Sequence, residues 1–245
     1  MNPETTSIST PYQDPHEYDH SHPDISGGWL RASVFGGMDG LVTNIGLIAG
    51  VGAAGASPGQ IILTGVAGMV AGATSMALGE YTSVRTANEQ IDAEAQVERE
   101  AQQRNPVGER RELTKMFLDL GMTLETARQA AREVHLDSER AVRVHLTQEL
   151  GIDPTSKPSP LIAAVSSFVF FSVGSLIPLI PYFFGAASLW LGLAVGGVGL
   201  LVAGGIAAIF TRKNWLRGAI RQLILGGLAV SLSYLIGTLL GVSVS

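Results

Sequence analysis

The sequence predicts an all-α membrane protein with five transmembrane helices and a cytoplasmic helical insert between helices two and three. Three observations lead there. Of 245 residues, 46% are hydrophobic and 15% charged, where a soluble chain carries about 25% charge. Residues 158–245 hold no acid, and their only bases are Arg212, Lys213, Arg217 and Arg221. Five stretches reach the roughly 20 apolar residues that a helix needs to cross a bilayer. The absence of cysteine removes disulfides, thiolate metal sites and Fe–S clusters from consideration. A net charge of −5 argues against nucleic acid as a partner.

Residues 1–28 form an acidic tail rich in Pro, Ser, Thr and Asp, expected to be disordered, with no apolar signal-peptide core. Its stretch from Asp14 to Asp24, containing His16, His20 and His22, reads as a solvated tail or a loose divalent-ion site. Span one covers 30–54 and carries one charge beyond its first turn, Asp39. Span two, from 58 to about 84, carries Glu80. Spans three to five cover 161–184, 186–210 and 216–242, with turns at 55–57 and near Gly185 closing two hairpins. The chain therefore divides into the tail, a membrane pair at 29–85, the insert at 86–158 and a membrane unit at 159–245. With five spans, all 16 Lys and Arg residues fall on the side of the N-terminus and the insert, which the positive-inside rule makes cytoplasmic. Small size and the lack of a sorting motif lean toward a prokaryotic plasma membrane.

The insert carries 14 acidic and 10 basic residues. Span two is expected to continue as helix to about Arg104 and to stop at Asn105-Pro106. Further helices are expected at 109–120, closed by Gly121, at 124–136, capped by Thr123, and at 138–150, capped by Asp137 and ended by Gly151. By spacing, Glu94 shares a face with Glu98, Glu109 with Glu112, and His145 with Glu149. Carboxylates with an imidazole suit Fe²⁺, Mn²⁺ or Zn²⁺, and facing Glu and His helices build di-iron bundles. The same spacing also describes a solvated face laced with salt bridges.

Acids within spans are costly and mark functional positions. Asp39 lies about 13 Å inside span one, and Met76 about 12 Å inside span two, at 1.5 Å rise per residue. In an antiparallel hairpin these depths match, which reads as an oxygen–sulfur transit point for a soft-to-borderline cation, or else as Asp39 capping a helix break at Gly36–Gly40 and Met76 serving as plain packing. Glu80, one turn nearer the cytoplasm, falls at the mouth of such a pathway. The pairs Gly36/Gly40, Gly46/Gly50, Gly68/Gly72 and Gly192/Gly196 mark close helix contacts, and five thin spans point to a homodimer with the pathway at its interface.

At these residues the chain resembles the vacuolar iron transporter family, the Fe²⁺/Mn²⁺ carriers of yeast, plants and prokaryotic relatives. The matching segments are Phe35-Gly-Gly-Met-Asp-Gly-Leu-Val-Thr-Asn44, Gly72-Ala-Thr-Ser-Met-Ala-Leu-Gly-Glu-Tyr81, Gln148-Glu-Leu-Gly-Ile-Asp153 and Pro178-Leu-Ile-Pro-Tyr182, within residues 28–242. The resemblance implies proton-coupled export of Fe²⁺ or Mn²⁺ from the cytoplasm by a homodimer. The cytoplasmic helices would collect metal, with Zn²⁺ and Co²⁺ as further candidate ions and no permanently bound cofactor. The family's transmembrane aspartate falls on Asp39, its span-two methionine on Met76, and its insert glutamates on Glu98, Glu109, Glu112 and Glu149. Three departures stand out: Ala101 replaces an insert glutamate, with Glu94 as a possible substitute, His145-Leu146 replaces a methionine pair, and Gly68 replaces a span-two glutamate. The partners implied are lipid, divalent metal, protons and a second copy. No nucleophile–base set points to an enzyme. A membrane-anchored metal buffer or sensor is the alternative.

Overall fold

The computed structural model describes residues 28–244, so the His- and Asp-bearing tail lies outside the described residues. Nine α-helices and one 3₁₀ turn account for the elements among them. Five helical stretches are long and apolar enough to cross a membrane: Trp29–Ala53 (α1), the first part of Pro58–Arg104 (α2), Pro160–Phe183, Leu189–Phe210 (α8) and Trp215–Gly241 within α9. The insert adds α3 (Pro106–Asp119), α4 (Leu124–Val134) and α5 (Ser138–Leu150). Three shifts from the expected bounds stand out. α3 starts three residues early because Pro106, lacking an N–H, suits the first helical position and the Asn105 side chain accepts from Gly108 N at 3.0 Å. α4 stops at Val134, with His135 as its C-terminal cap. Span four begins at Leu189.

The third span is not one continuous helix. α6 (Pro160–Leu176) gives way to a 3₁₀ turn at Ile177–Leu179 and then to α7 (Ile180–Phe183). Pro178 and Pro181 withdraw two backbone donors and break the regular ladder, which lipid tolerates only where neighbouring groups satisfy the freed carbonyls. α1 does so: Asn44 Nδ2 donates to Ser175 O at 2.5 Å, and Ser175 Oγ donates back to Gly40 O at 3.1 Å.

α1 is the central helix, packed against α2, α6, α8 and α9. Its small residues permit this. A Cβ on Gly36 would stand 2.7 Å from Ser167 O, and one on Gly40 would collide with the Phe171 carbonyl. Gly46 and Gly50 face Ser233, Gly68 and Gly72 face Leu47 and Phe171, and Gly192 and Gly196 face Tyr182 and Ile45. All four glycine pairs are thus consumed within one chain, and none is left to argue for contact between copies. Leu41, Ile45 and Leu200, and Ile48, Ile61, Leu179 and Tyr182, form the two apolar cores at these crossings.

α2 carries the architecture out of the membrane. The helix spans 47 residues, about 70 Å at 1.5 Å per residue, so its last twenty or so residues project beyond the bilayer. α5 runs back along this projection. Arg99 pairs with Glu139 through two 2.9 Å bonds, Lys157 pairs with Asp92, and Asn88 Nδ2 donates to Pro158 O at 2.9 Å. Ala95, Val142 and Leu146 fill the seam between them.

Candidate metal site

Three helices bring the insert's ligand-type side chains to one point. α2 supplies Glu98, which is 9% exposed. The reversal at Asn105-Pro106 aims Glu109 and Glu112 of α3 at the same place, and α5 supplies His145 and Glu149. Asp137 starts α5 by accepting from Arg140 N at 2.7 Å, which sets the register of His145. His145 is fully buried at the centre. Its Nδ1 stands 3.1 Å from Glu149 Oε1, 3.3 Å from Glu98 Oε1 and 4.0 Å from Glu109 Oε2. Ligand atoms of Glu98, Glu109 and His145 lie within 4.8 Å of one another, as do those of Glu112, His145 and Glu149. Gln102 Nε2 holds Glu98 Oε1 from behind at 3.1 Å.

The charge balance of the cluster is one-sided. Among the described residues, no Lys or Arg lies within 4 Å of Glu98, Glu109, Glu112 or Glu149. Burial, and then repulsion from Glu98 and Glu112, raises the Glu109 pKa above its ordinary value. Four carboxylates gathered on one imidazole without a counter-ion form an arrangement that a divalent cation stabilises. Their nitrogen and oxygen atoms match the preferences of Fe²⁺, Mn²⁺ and Zn²⁺. Five of the six residues singled out in the insert therefore converge. Glu94 does not: it is exposed and belongs to neither group. Sequence reasoning missed Gln102 and His135, whose ring centroid lies 5.3 Å from that of His145. Gln102 was signalled by its i,i+4 spacing from Glu98, whereas His135 carried no signal, because only the folding of α4 against α3 and α5 brings it near.

Within the membrane, Asp39 sits on the exposed face of α1, beside Phe35 and Thr43, and its Oδ1 accepts from Thr43 Oγ1 at 3.4 Å. Gly40 abuts the Phe171 backbone and Gly72 the tip of its ring, and Gly68 lies beside Leu47. Met76 is half-buried. Glu80 is held by Arg31 at 2.6 Å, with only 16% of its side chain exposed, so it is half of an ion pair. Beyond Thr43, a cleft of about 790 Å³ between α1 and α9 runs past Gly46, Gly50 and Ser233 to the turn at Ala54–Ala56 and Gln60.

These features define a class: a multi-pass membrane protein with an acidic, imidazole-centred ligand cluster mounted on the continuation of a spanning helix. The chain belongs to the VIT family, whose family model matches residues 30–238. A vacuolar iron transporter of Acanthamoeba castellanii is 36% identical over 220 residues, covering 86% of this chain and 78% of that protein. Vacuolar iron transporter homolog 3 of Arabidopsis thaliana is 31% identical over 87% of this chain and 84% of its own. Vacuolar iron transporter 1 of Tulipa gesneriana is 26% identical over 96% and 94%.

Proposed function

We propose that the protein exports a divalent transition metal, Fe²⁺ and/or Mn²⁺, from the cytoplasm by proton antiport, as a homodimer. The observation that carries this reading is the cluster of Glu98, Glu109, Glu112, Glu149 and His145, anchored through Glu98 on the helix that leads down to Met76. The side of the insert holds every Lys and Arg of the sequence, which makes it cytoplasmic. Metal captured there passes the Arg31–Glu80 pair, reaches Met76 and then Asp39, and leaves through the cleft beyond Thr43. Asp39 alternates between cation-bound carboxylate and protonated acid, which links each ion outward to protons inward. The names of the relatives support metal as the cargo.

The homodimer follows from Asp39. A carboxylate exposed toward hydrocarbon at mid-span costs about 2.5–3.5 kcal/mol even on insertion scales. A second copy placed against the Phe35–Asp39–Thr43 face removes it from lipid and pairs the two carboxylates across one pathway. The test is flux in proteoliposomes loaded with Fe²⁺ or Mn²⁺. Asp39→Asn is expected to reduce metal flux, and the accompanying proton movement, at least a hundredfold while leaving metal binding by the insert unchanged. Normal flux by this variant ends the carrier reading. Binding without flux in the wild-type protein would identify the chain as a membrane-anchored buffer.

A further inference from the structure

We infer that His135 is a positioning residue for the metal cluster: its Nε2 accepts the Nε2–H that His145 must carry once Nδ1 of that ring binds a metal ion. The inference rests on the reading of the cluster as a metal site and is independent of whether the ion then crosses the membrane.

The argument is one of hydrogens. Nδ1 of His145 faces Glu149 Oε1 at 3.1 Å and Glu98 Oε1 at 3.3 Å. Ionised carboxylates only accept, so in the metal-free protein this nitrogen carries the proton. An ion held by the same carboxylates needs the Nδ1 lone pair. The proton must therefore leave Nδ1, and the hydrogen that the metal-bound ring carries is the one on Nε2. Nε2 of His145 is buried and has no hydrogen-bond partner. An N–H left unmatched there weakens the binding of metal.

His135 is placed to supply the missing acceptor. Its Nδ1 lies 2.8 Å from Ala131 O, and a carbonyl only accepts, so Nδ1 carries the hydrogen and Nε2 the lone pair. That Nε2 is likewise buried and without a partner. The two rings stand 5.3 Å apart in edge-to-face contact with their planes at 89°, so the two unmatched nitrogens belong to neighbouring rings. Burial, joined by His145 and Arg110, lowers the His135 pKa, against the hydrogen bond to Ala131 O and a pull from Glu98. Metal-ligating imidazoles depend on such an acceptor behind them, and its loss typically costs 10–100-fold in affinity.

The experiment uses the full chain in detergent, with Zn²⁺ and Mn²⁺ titrated calorimetrically. His135→Phe keeps a ring and removes the acceptor, and it is expected to weaken Zn²⁺ binding 10–100-fold. His135→Gln, whose amide oxygen accepts, is expected to recover affinity to within a few-fold of wild type, a rescue that a purely structural role for the ring would not produce. In the wild-type protein, ¹⁵N-histidine spectra are expected to show His145 protonated at Nδ1 without metal and at Nε2 with Zn²⁺ bound. Wild-type affinity in His135→Phe, or a Zn²⁺-loaded His145 still protonated at Nδ1, overturns the inference, and the spectra decide alone should the Phe variant not fold. Undiminished binding by His145→Ala would overturn this inference together with the cluster reading, whereas loss of flux with normal binding strikes only the transport reading.

Discussion

Around His145 the side chains hold a repulsion that the protein keeps unpaired. Glu109 lies within reach of Glu98, Glu112 and Glu149, and burial adds to their repulsion in raising its pKa. The folded chain thus holds a proton on Glu109 more tightly than the unfolded chain does. Stability from this group is fully present below its ordinary value of 4.5 and is lost as pH rises through the raised folded value. Two outcomes follow at neutral pH. Glu109→Gln removes the repulsion, so the metal-free variant is expected to melt of the order of 2–4 °C higher, what about 1 kcal/mol amounts to in a chain this long. The same variant is expected to lose most of the upward shift in melting temperature that Mn²⁺ gives the wild type. Lowering the pH protonates Glu109 before an ordinary glutamate, so metal affinity is expected to begin falling above pH 4.5, at the raised folded value, and to do so less steeply in the Gln variant. Thermal melts with and without metal across a pH series check all three statements.

At the scale of helices, legibility divided along a physical line. Features encoded locally could be read from the chain: the caps at Thr123 and Asp137, the stop at Gly151 with φ 67°, and the run of α2 through to Arg104. Features that depend on which helix lies beside which could not. The proline break in the third span is written in Pro178 and Pro181, but its consequence appears only when Asn44 arrives to satisfy Ser175 O. The glycine pairs announce close approach without naming the partner, and the partner proved to be the same chain. Of the candidate site, Glu98, Glu109, Glu112, His145 and Glu149 were visible by spacing and resemblance, whereas His135 and the Arg31–Glu80 pair depend on contacts between helices. The packing account makes a direct demand on α1. Gly40→Ala would drive a methyl group into the Phe171 backbone carbonyl, which cannot swing aside as a side chain does. Overpacking of this kind costs typically about 1–3 kcal/mol. Gly79→Ala, with open space around its Cβ position, serves as the matched control and is expected to melt like wild type. Equal thermal stability of the two variants in detergent would show that α1 and α6 are not held as closely as described.

For the molecule as a whole, α2 is the one element shared by the ligand cluster and the membrane. Its 47 residues carry Met76 and Glu80 near the middle and Glu98 toward the far end without interruption; the Arg99–Glu139 pair binds α5 to the projecting half, and the Lys157–Asp92 pair binds the segment leading to α6. A helix transmits displacement along its axis because each turn is hydrogen-bonded to the next, so on the proposed reading a shift of the cluster on metal capture would be delivered to the level of Glu80 and the Arg31 pair. Breaking the helix between the two ends should separate capture from passage. Thr86 lies just past the membrane part of α2, before Asn88 and the first contacts with the segment leading to α6. A proline there removes one hydrogen bond and clashes with the preceding turn, costing about 3 kcal/mol and bending the helix. The cluster, built from residues more than three turns further on, keeps its ligands. Thr86→Pro is therefore expected to bind Zn²⁺ within about twofold of wild type while its flux in proteoliposomes falls at least tenfold. Thr86→Ala, which leaves the helix intact, controls for loss of the side chain. Unchanged flux in the proline variant would mean that the insert delivers metal by diffusion alone and that the continuity of α2 serves only to hold the cluster near the membrane.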